Sequence, residues 1–398
     1  MAERTRKKRS DPFSCVVFGA GALGLGFLGP ELTPDCRITY VDIPAKRDLL
    51  EHLKTAGSYV FNETGLSLRP VAVQGVDGLC LAGDGPSAEL QDVLDRTDLA
   101  FTAVGEPNLV KLASLLAQAA ARRPPGRPLR ILCAENGVEI ARNLRAAVER
   151  EAGLPLGERL VTGDTVMGRM CQIVSSPPPG MKPPAPGVGW AVVAEPFFGI
   201  PVEEHAVRGL ARVPSAVEPQ APERFRASED VKMVAHNGLH ATLACVGHLR
   251  GFEFFSDLRG DAQMMELGRR LLVEEAAPAL FRKHGAALAR SSYLNYCDSI
   301  LRRTTCPVFH DPIARGTRGI MRKLEPWERL VYSVRTVAAQ GVEPAAFATG
   351  LAAAILVAQR TGQTELDFDA LLARHCGFDP TREADVLALI AASREALG

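Results

Sequence analysis

The stretch Ser14-Cys-Val-Val-Phe-Gly19-Ala20-Gly21-Ala22-Leu23-Gly24 decides the fold. A short apolar run leads directly into three glycines at G-x-G-x-x-G spacing, and a helical pattern follows. A strand that turns on such glycines into a helix is the phosphate-binding turn of a doubly wound sheet. Gly19 makes the tight turn, Gly21 lets the backbone approach a pyrophosphate, and Gly24 lets helix pack on strand. The phosphate charge then faces the helix N-terminus. Taken alone, the hexapeptide also describes an ordinary glycine-rich turn. Asp42 strengthens the first reading, because it ends the next apolar run about 20 residues on, where a carboxylate meets the adenosine ribose hydroxyls. It would repel a 2′-phosphate, which favours NAD over NADP; Lys46 and Arg47 pull the other way.

Outward from this turn, strand-like runs at 14–19, 37–43, 99–104 and 129–134 alternate with helical patterns at 109–122 and 138–151. That rhythm predicts a parallel sheet. Residues 159–173 and 190–198 read as further strands, on either side of the proline-rich loop 177–187. From about Ser228 helical patterns dominate, at 262–284, 287–301, 327–339 and 344–359. The expected architecture is α/β: a Rossmann-type NAD-binding domain at 13–227, then a mostly α-helical substrate and catalytic domain at 228–398. The boundary is expected within 205–228.

A chain of 398 residues is long enough for two cores. Lys plus Arg and Asp plus Glu balance at 46 each, so no global field draws nucleic acid or an acidic membrane. Nine scattered cysteines without a C-x-x-C pair indicate free thiols in a reducing cytoplasm. Residues 1–12, with Arg4, Arg6, Lys7, Lys8 and Arg9, read as a disordered solubilising tail rather than a nuclear address. No apolar core of a signal peptide follows them. The apolar run at 351–358 is too short to span a bilayer.

The second chemistry-bearing stretch is Lys232-Met-Val-Ala-His236-Asn237-Gly-Leu-His240. At about 100° per residue, Asn237 lies about 140° and His240 about 80° from Lys232, on one broad helix face. A lysine is a base near neutrality only if its pKa falls from about 10.4 to roughly 7–8. Burial and neighbouring cations both act in that direction. Read singly, Lys232 is a solvated helix charge and His240 a core histidine. His236 and His240 at i, i+4 could hold a metal, but no third ligand stands nearby.

The spacing K-x4-N-x2-H resembles the signature of the polyol-specific long-chain dehydrogenases, which include mannitol-1-phosphate 5-dehydrogenases and mannitol 2-dehydrogenases. The glycine stretch from Phe18 to Gly29, Thr102-Ala-Val104-Gly105, Cys133-Ala-Glu135-Asn136 and Glu195-Pro-Phe197 are similar to that family's motifs. So are Arg303, Pro307, Asp311, Arg315, Arg322-Lys323-Leu324 and Arg329-Leu330. The resemblance implies a metal-independent, monomeric NAD enzyme acting on a small polyol or polyol phosphate, with its site between the domains. It implies Lys232 as general base, Asn237 and His240 on the reacting oxygen, and Asn136 on the substrate or the lysine. Gly19 to Gly24, Asp42, Val104, Gly105 and Glu135 would hold NAD. Arg303 and Arg315 are substrate-binding candidates, and Arg318 and Arg322 candidates for a phosphate.

The chain departs from the family pattern on the substrate side. Gly168 stands where an aspartate is usual, Gly199 and Ile200 follow the Glu195 segment, and Cys306 replaces an asparagine. His236 replaces an apolar residue, so His236 or His310 becomes a candidate for the substrate site. Two further readings stay open: a 2-hydroxyacid or ketopantoate-type reductase, and an NAD-binding sensor without turnover.

Overall fold

The computed structural model describes residues 13–398 apart from 66, 82–86, 138, 197 and 198. The basic tail at 1–12, the start of the 138–151 helix, Phe197 and the end of the 190–198 run lie outside the described residues. The strands are β1 (Phe13–Phe18), β2 (Cys36–Asp42), β3 (Ser58–Glu63), β4 (Arg69–Gln74), β5 (Val76–Cys80), β6 (Leu99–Thr102), β7 (Leu129–Cys133), β8 (Leu160–Asp164), β9 (Cys171–Val174) and β10 (Ala191–Ala194). Six of them form an all-parallel sheet in the order β5-β2-β1-β6-β7-β8. Counted along that sheet the order is 3-2-1-4-5-6, the Rossmann arrangement. The glycine turn leaves the carboxyl end of β1, where the strand order reverses.

Alternation along the strands covers both faces, as a parallel sheet requires. Val16, Phe18, Val41, Ala100 and Ile131 pack with one set of helices. Cys15, Val17, Ile38, Tyr40 and Phe101 pack to the other side. Three features differ from the sequence expectation. Residues 58–80 carry three strands, two of which, β3 and β4, join a second sheet in the order β4-β3-β10-β9. The 159–173 run breaks in two, with β8 at the edge of the main sheet and β9 in the second. The helix after the glycines contains a π-helical turn, Gly24–Leu28.

The chain divides after Ala221, and Pro222–Gly398 forms the second unit. The helix Pro222–Asp230 therefore opens that unit and runs into a π-helical turn, Val231–Gly238, then the helix Leu239–Leu249. The 262–284 pattern is likewise interrupted by a π turn at Arg270–Ala276. Ala345–Arg360 is the buried central helix, with Phe347, Leu351 and Ile355 fully covered. No described helix is long and apolar enough to cross a membrane.

That central helix begins at a buried carboxylate. Glu275 accepts from the backbone N–H of Ala346 at 2.6 Å and of Phe347 at 3.2 Å, satisfying two orphan donors. Burial pushes its pKa up to about 7, against those two bonds. The folded-state pKa lies above the unfolded value, so this contribution is complete below about 4.5 and is lost as pH rises through about 7. Glu275→Gln is expected to flatten this part of the stability–pH curve in denaturant titrations at pH 5 and pH 8. Glu275→Ala should cost about 1–3 kcal/mol by leaving buried amides unpaired.

Candidate active site

In the first unit the three fingerprint glycines meet three different requirements. Gly19 has φ 109°, and a Cβ there would lie 2.3 Å from the Ala103 carbonyl oxygen. A Cβ on Gly24 would lie 2.0 Å from the Gly19 carbonyl oxygen, so helix and turn touch through backbone. A Cβ on Gly21 would meet nothing within 4 Å. Its glycine is not demanded by the protein's own packing, and the open space suits a close-lying pyrophosphate. Asp42 ends β2 as expected. Its carboxylate accepts from Ala20 N–H and Ile43 N–H, each at 2.7 Å, which fixes it beside the turn. Each oxygen retains acceptor capacity for a ribose hydroxyl. Lys46 lies 3.8 Å over the Trp190 ring.

The neighbouring strand ends are tied together. Glu135, buried after β7, accepts from Val104 N–H and Gly105 N–H, both at 2.9 Å. Those two amides face a carboxylate of the chain itself. Asn136 follows on the exposed side and belongs to a different unit from Lys232. Next to Gly168, Arg169 is buried between Glu31 and Glu63, at 3.2 and 3.3 Å. The Met170 N–H donates to Glu195 at 2.6 Å, so the two segments that depart from the family pattern are bonded to each other.

In the second unit Lys232, Asn237 and His240 are all half-buried, while their neighbours Val234, Ala235 and Leu239 are covered. The geometry differs from the expected α-helix. A π turn bonds i to i+5, so Lys232 and Asn237 stand one turn apart instead of about 140° around. His240 contacts the Asp311 carboxylate through Nε2 at 3.2 Å and stacks on Phe255. Burial lowers the His240 pKa to about 4, although Asp311 opposes this. Burial pushes Asp311 up, but hydrogen bonds from Arg315 and His240 hold it at about 2. The carboxylate is thus ionised and acceptor-only, which assigns the Nε2 proton to neutral His240 and leaves Nδ1 an acceptor.

His236 is buried, with Nδ1 3.0 Å from the Tyr296 hydroxyl. Burial first, then the charges of Lys232, Arg303, His240 and Arg329, push its pKa well below the ordinary range. Lys232, Arg303 and His236 therefore share one neighbourhood. Arg315 forks onto Asp311, with Nε at 2.5 Å. Arg318 and Arg322 are exposed, and Arg322 pairs with Glu328 at 2.8 Å. His310 is exposed, has φ 49° and stacks on Phe254 at 3.8 Å. Lys323 is a buried lysine that its sequence context does not mark. It is 7% exposed, donates to the Gly316 carbonyl, and burial with Arg329 beside it lowers its pKa to about 8. Its only sequence signal was its place in Arg322-Lys323-Leu324.

A parallel sheet in Rossmann order, with its glycine turn and the acid that ends β2, is the architecture of a dinucleotide-binding domain. Residues 14–210 match the mannitol dehydrogenase Rossmann domain and residues 226–392 the mannitol dehydrogenase C-terminal domain. The chain is 30% identical over 376 residues to a mannitol-1-phosphate 5-dehydrogenase of Pseudarthrobacter chlorophenolicus, covering 92% of this chain and 91% of that one. It is 25% identical over 334 residues to that of Emericella nidulans, covering 82% of each. Its fold is similar to Pseudomonas fluorescens mannitol 2-dehydrogenase in a ternary complex with NAD and D-mannitol (TM-score 0.71, 16% identity, 97% of this chain, 92% of that one). It is also similar to substrate-free D-sorbitol dehydrogenase (TM-score 0.74, 16% identity, 97% and 94%). The chain belongs to the mannitol dehydrogenase family, and it is an NAD-dependent polyol oxidoreductase.

The glycines separate two expected outcomes. Gly21→Ala should leave the thermal midpoint near wild type and weaken NADH binding about tenfold or more, read by NADH fluorescence. Gly24→Ala, which sets a methyl against backbone, should destabilise the fold by about 1–3 kcal/mol or more.

Proposed function

We propose that the chain interconverts a polyol phosphate and the corresponding ketose phosphate, with mannitol 1-phosphate and fructose 6-phosphate as the type pair and Lys232 as general base. The observation that carries this reading is the crowding of Lys232, Arg303 and Arg329 around a buried neutral His236. Basic side chains gathered around one buried imidazole offer donors suited to an anionic substrate. The mannitol-1-phosphate 5-dehydrogenase named among the relatives agrees with it.

NAD, held by Gly19 to Gly24 and Asp42, would supply the acceptor for the hydride of the substrate carbon. Lys232 Nζ takes the proton of the reacting hydroxyl as its O–H bond breaks, so the oxygen becomes a carbonyl oxygen and the lysine an ammonium. In the reverse direction the ammonium returns that proton. Asn237, one π turn from Lys232, donates its amide N–H to the same oxygen while negative charge builds there. His240, with its Nε2 proton directed to Asp311, presents an acceptor Nδ1 and orients a substrate hydroxyl. Arg303, Arg315 and His236 bind the substrate's anionic or hydroxylated end, with His236 Nδ1 held at the Tyr296 hydroxyl, and Asn136 orients the substrate. Gly19 to Gly24 with Asp42 hold the dinucleotide, and Glu135 shapes its loop by fixing Val104 and Gly105. The protein acts as a monomer in the cytoplasm, without nucleic acid.

Asp311 and His240 also resemble a carboxylate–imidazole base pair. A histidine near pKa 4 is a poor proton acceptor at neutral pH, which favours Lys232. The test is NADH formation with a panel of polyols, polyol phosphates and hexuronates. Turnover confined to phosphates, lowered by about 10³-fold or more in Lys232→Ala with NADH binding retained, is the expected result. Turnover of free polyols alone would remove the phosphate assignment. Loss of activity in His240→Ala but not Lys232→Ala would move the base to His240.

A further inference from the structure

A π-helical turn is rare, and it persists where the surrounding structure holds it. Val231–Gly238 is such a turn, and it carries Lys232, His236 and Asn237. Both of its ends meet neighbouring residues of one helix, Arg329–Ala339. At the start, Asp230 accepts from the Tyr332 hydroxyl at 2.5 Å. At the far end, a Cβ on Gly238 would lie 3.0 Å from Ser333 Oγ and 3.0 Å from the Phe347 ring, so the backbone there is pressed against that helix.

Asp230 is a buried carboxylate with three donors. Besides Tyr332, His284 Nε2 lies at 2.6 Å and Lys283 Nζ at 2.7 Å, both from the last turn of the helix Ala277–His284. Lys283 also donates to the Tyr332 hydroxyl at 3.1 Å, which closes a ring of contacts around the carboxylate. Three helices are thus joined at the residue where α geometry gives way to π geometry.

We propose that Asp230, Tyr332, Lys283 and His284 form a clamp that positions Lys232. By fixing the entry to the π turn, the clamp sets Lys232 and Asn237 one turn apart, so that base and oxyanion donor address one oxygen. The four are positioning residues, since none is placed on substrate or cofactor. The inference rests on the reading of Lys232 as base, and the test separates the two.

Full-length wild type, Asp230→Asn, Tyr332→Phe and Lys232→Ala are compared by steady-state kinetics with mannitol 1-phosphate and NAD across pH, by NADH affinity, and by amide hydrogen exchange. Asp230→Asn and Tyr332→Phe are expected to lower kcat about tenfold or more, because small misplacements of a reacting group are costly. NADH affinity should stay within about twofold. Asp230→Asn also removes a negative charge two residues from Lys232 and the acid that pairs with Lys283. Its acidic limb in kcat/KM should therefore move to lower pH, while that of Tyr332→Phe stays in place. Amides of 231–238 should exchange faster in both variants, with the rest of the second unit unchanged. This last readout needs no substrate. Unchanged exchange at 231–238 in both variants overturns the clamp, as does wild-type kcat in both while Lys232→Ala is inactive. Full turnover by Lys232→Ala would instead remove the base assignment.

Discussion

A few buried acids, each shared between basic side chains, are the constraint on which the second unit depends. An unpaired buried charge costs several kcal/mol, and one carboxylate repays that only when its hydrogen bonds are complete. The unit meets the constraint by sharing acids. Asp311 takes Arg315 and His240, Glu328 takes Arg322 and Arg329, and Asp230 takes Lys283 and His284. Lys323 is held by the Gly316 carbonyl, and burial lowers its proton affinity. His236 and His240 remain neutral in this field for the same reason. Neutral imidazoles can orient hydroxyls without adding to the repulsion.

The first unit contains the same problem on a smaller scale. Arg169 is buried between Glu31 and Glu63, over the faces of Phe27 and Phe61 at 5.8 and 5.4 Å. The ring quadrupoles add to the ion pairs where water is excluded. Gly168 adjoins this group. Met170 and Glu195 lock the following turn, so a change at 168 is felt by a rigid neighbourhood.

Much of the sheet was legible because parallel strands buried on both faces read as apolar runs, and β1, β2, β6 and β7 do. The strands of 58–80 were not. β4 is exposed along most of its length, and its Arg69-Pro-Val-Ala-Val-Gln74 lacks a continuous apolar run. Its partner β3 mixes Ser58, Asn62 and Glu63 with buried Tyr59 and Phe61. The break within 159–173 has a similar origin, since one apolar stretch serves two sheets. The grouping of Lys232, Asn237 and His240 in one helical stretch was legible from spacing. Asp311 as the His240 partner and Lys323 as a buried lysine were not, because both depend on contacts made from distant parts of the chain.

The sequence by itself determined the dinucleotide turn, the acid after it, the helical second half and the spacing of Lys232, Asn237 and His240. Those follow from local backbone sterics and from side-chain periodicity. Tertiary structure alone decided that the lysine segment is a π turn, which brings Asn237 into line with Lys232 although α-helical spacing would set them apart. It also decided the charge states of His236, His240, Asp311 and Lys323. Protonation follows burial and the charges nearby, and both are properties of packing between segments that no local spacing encodes.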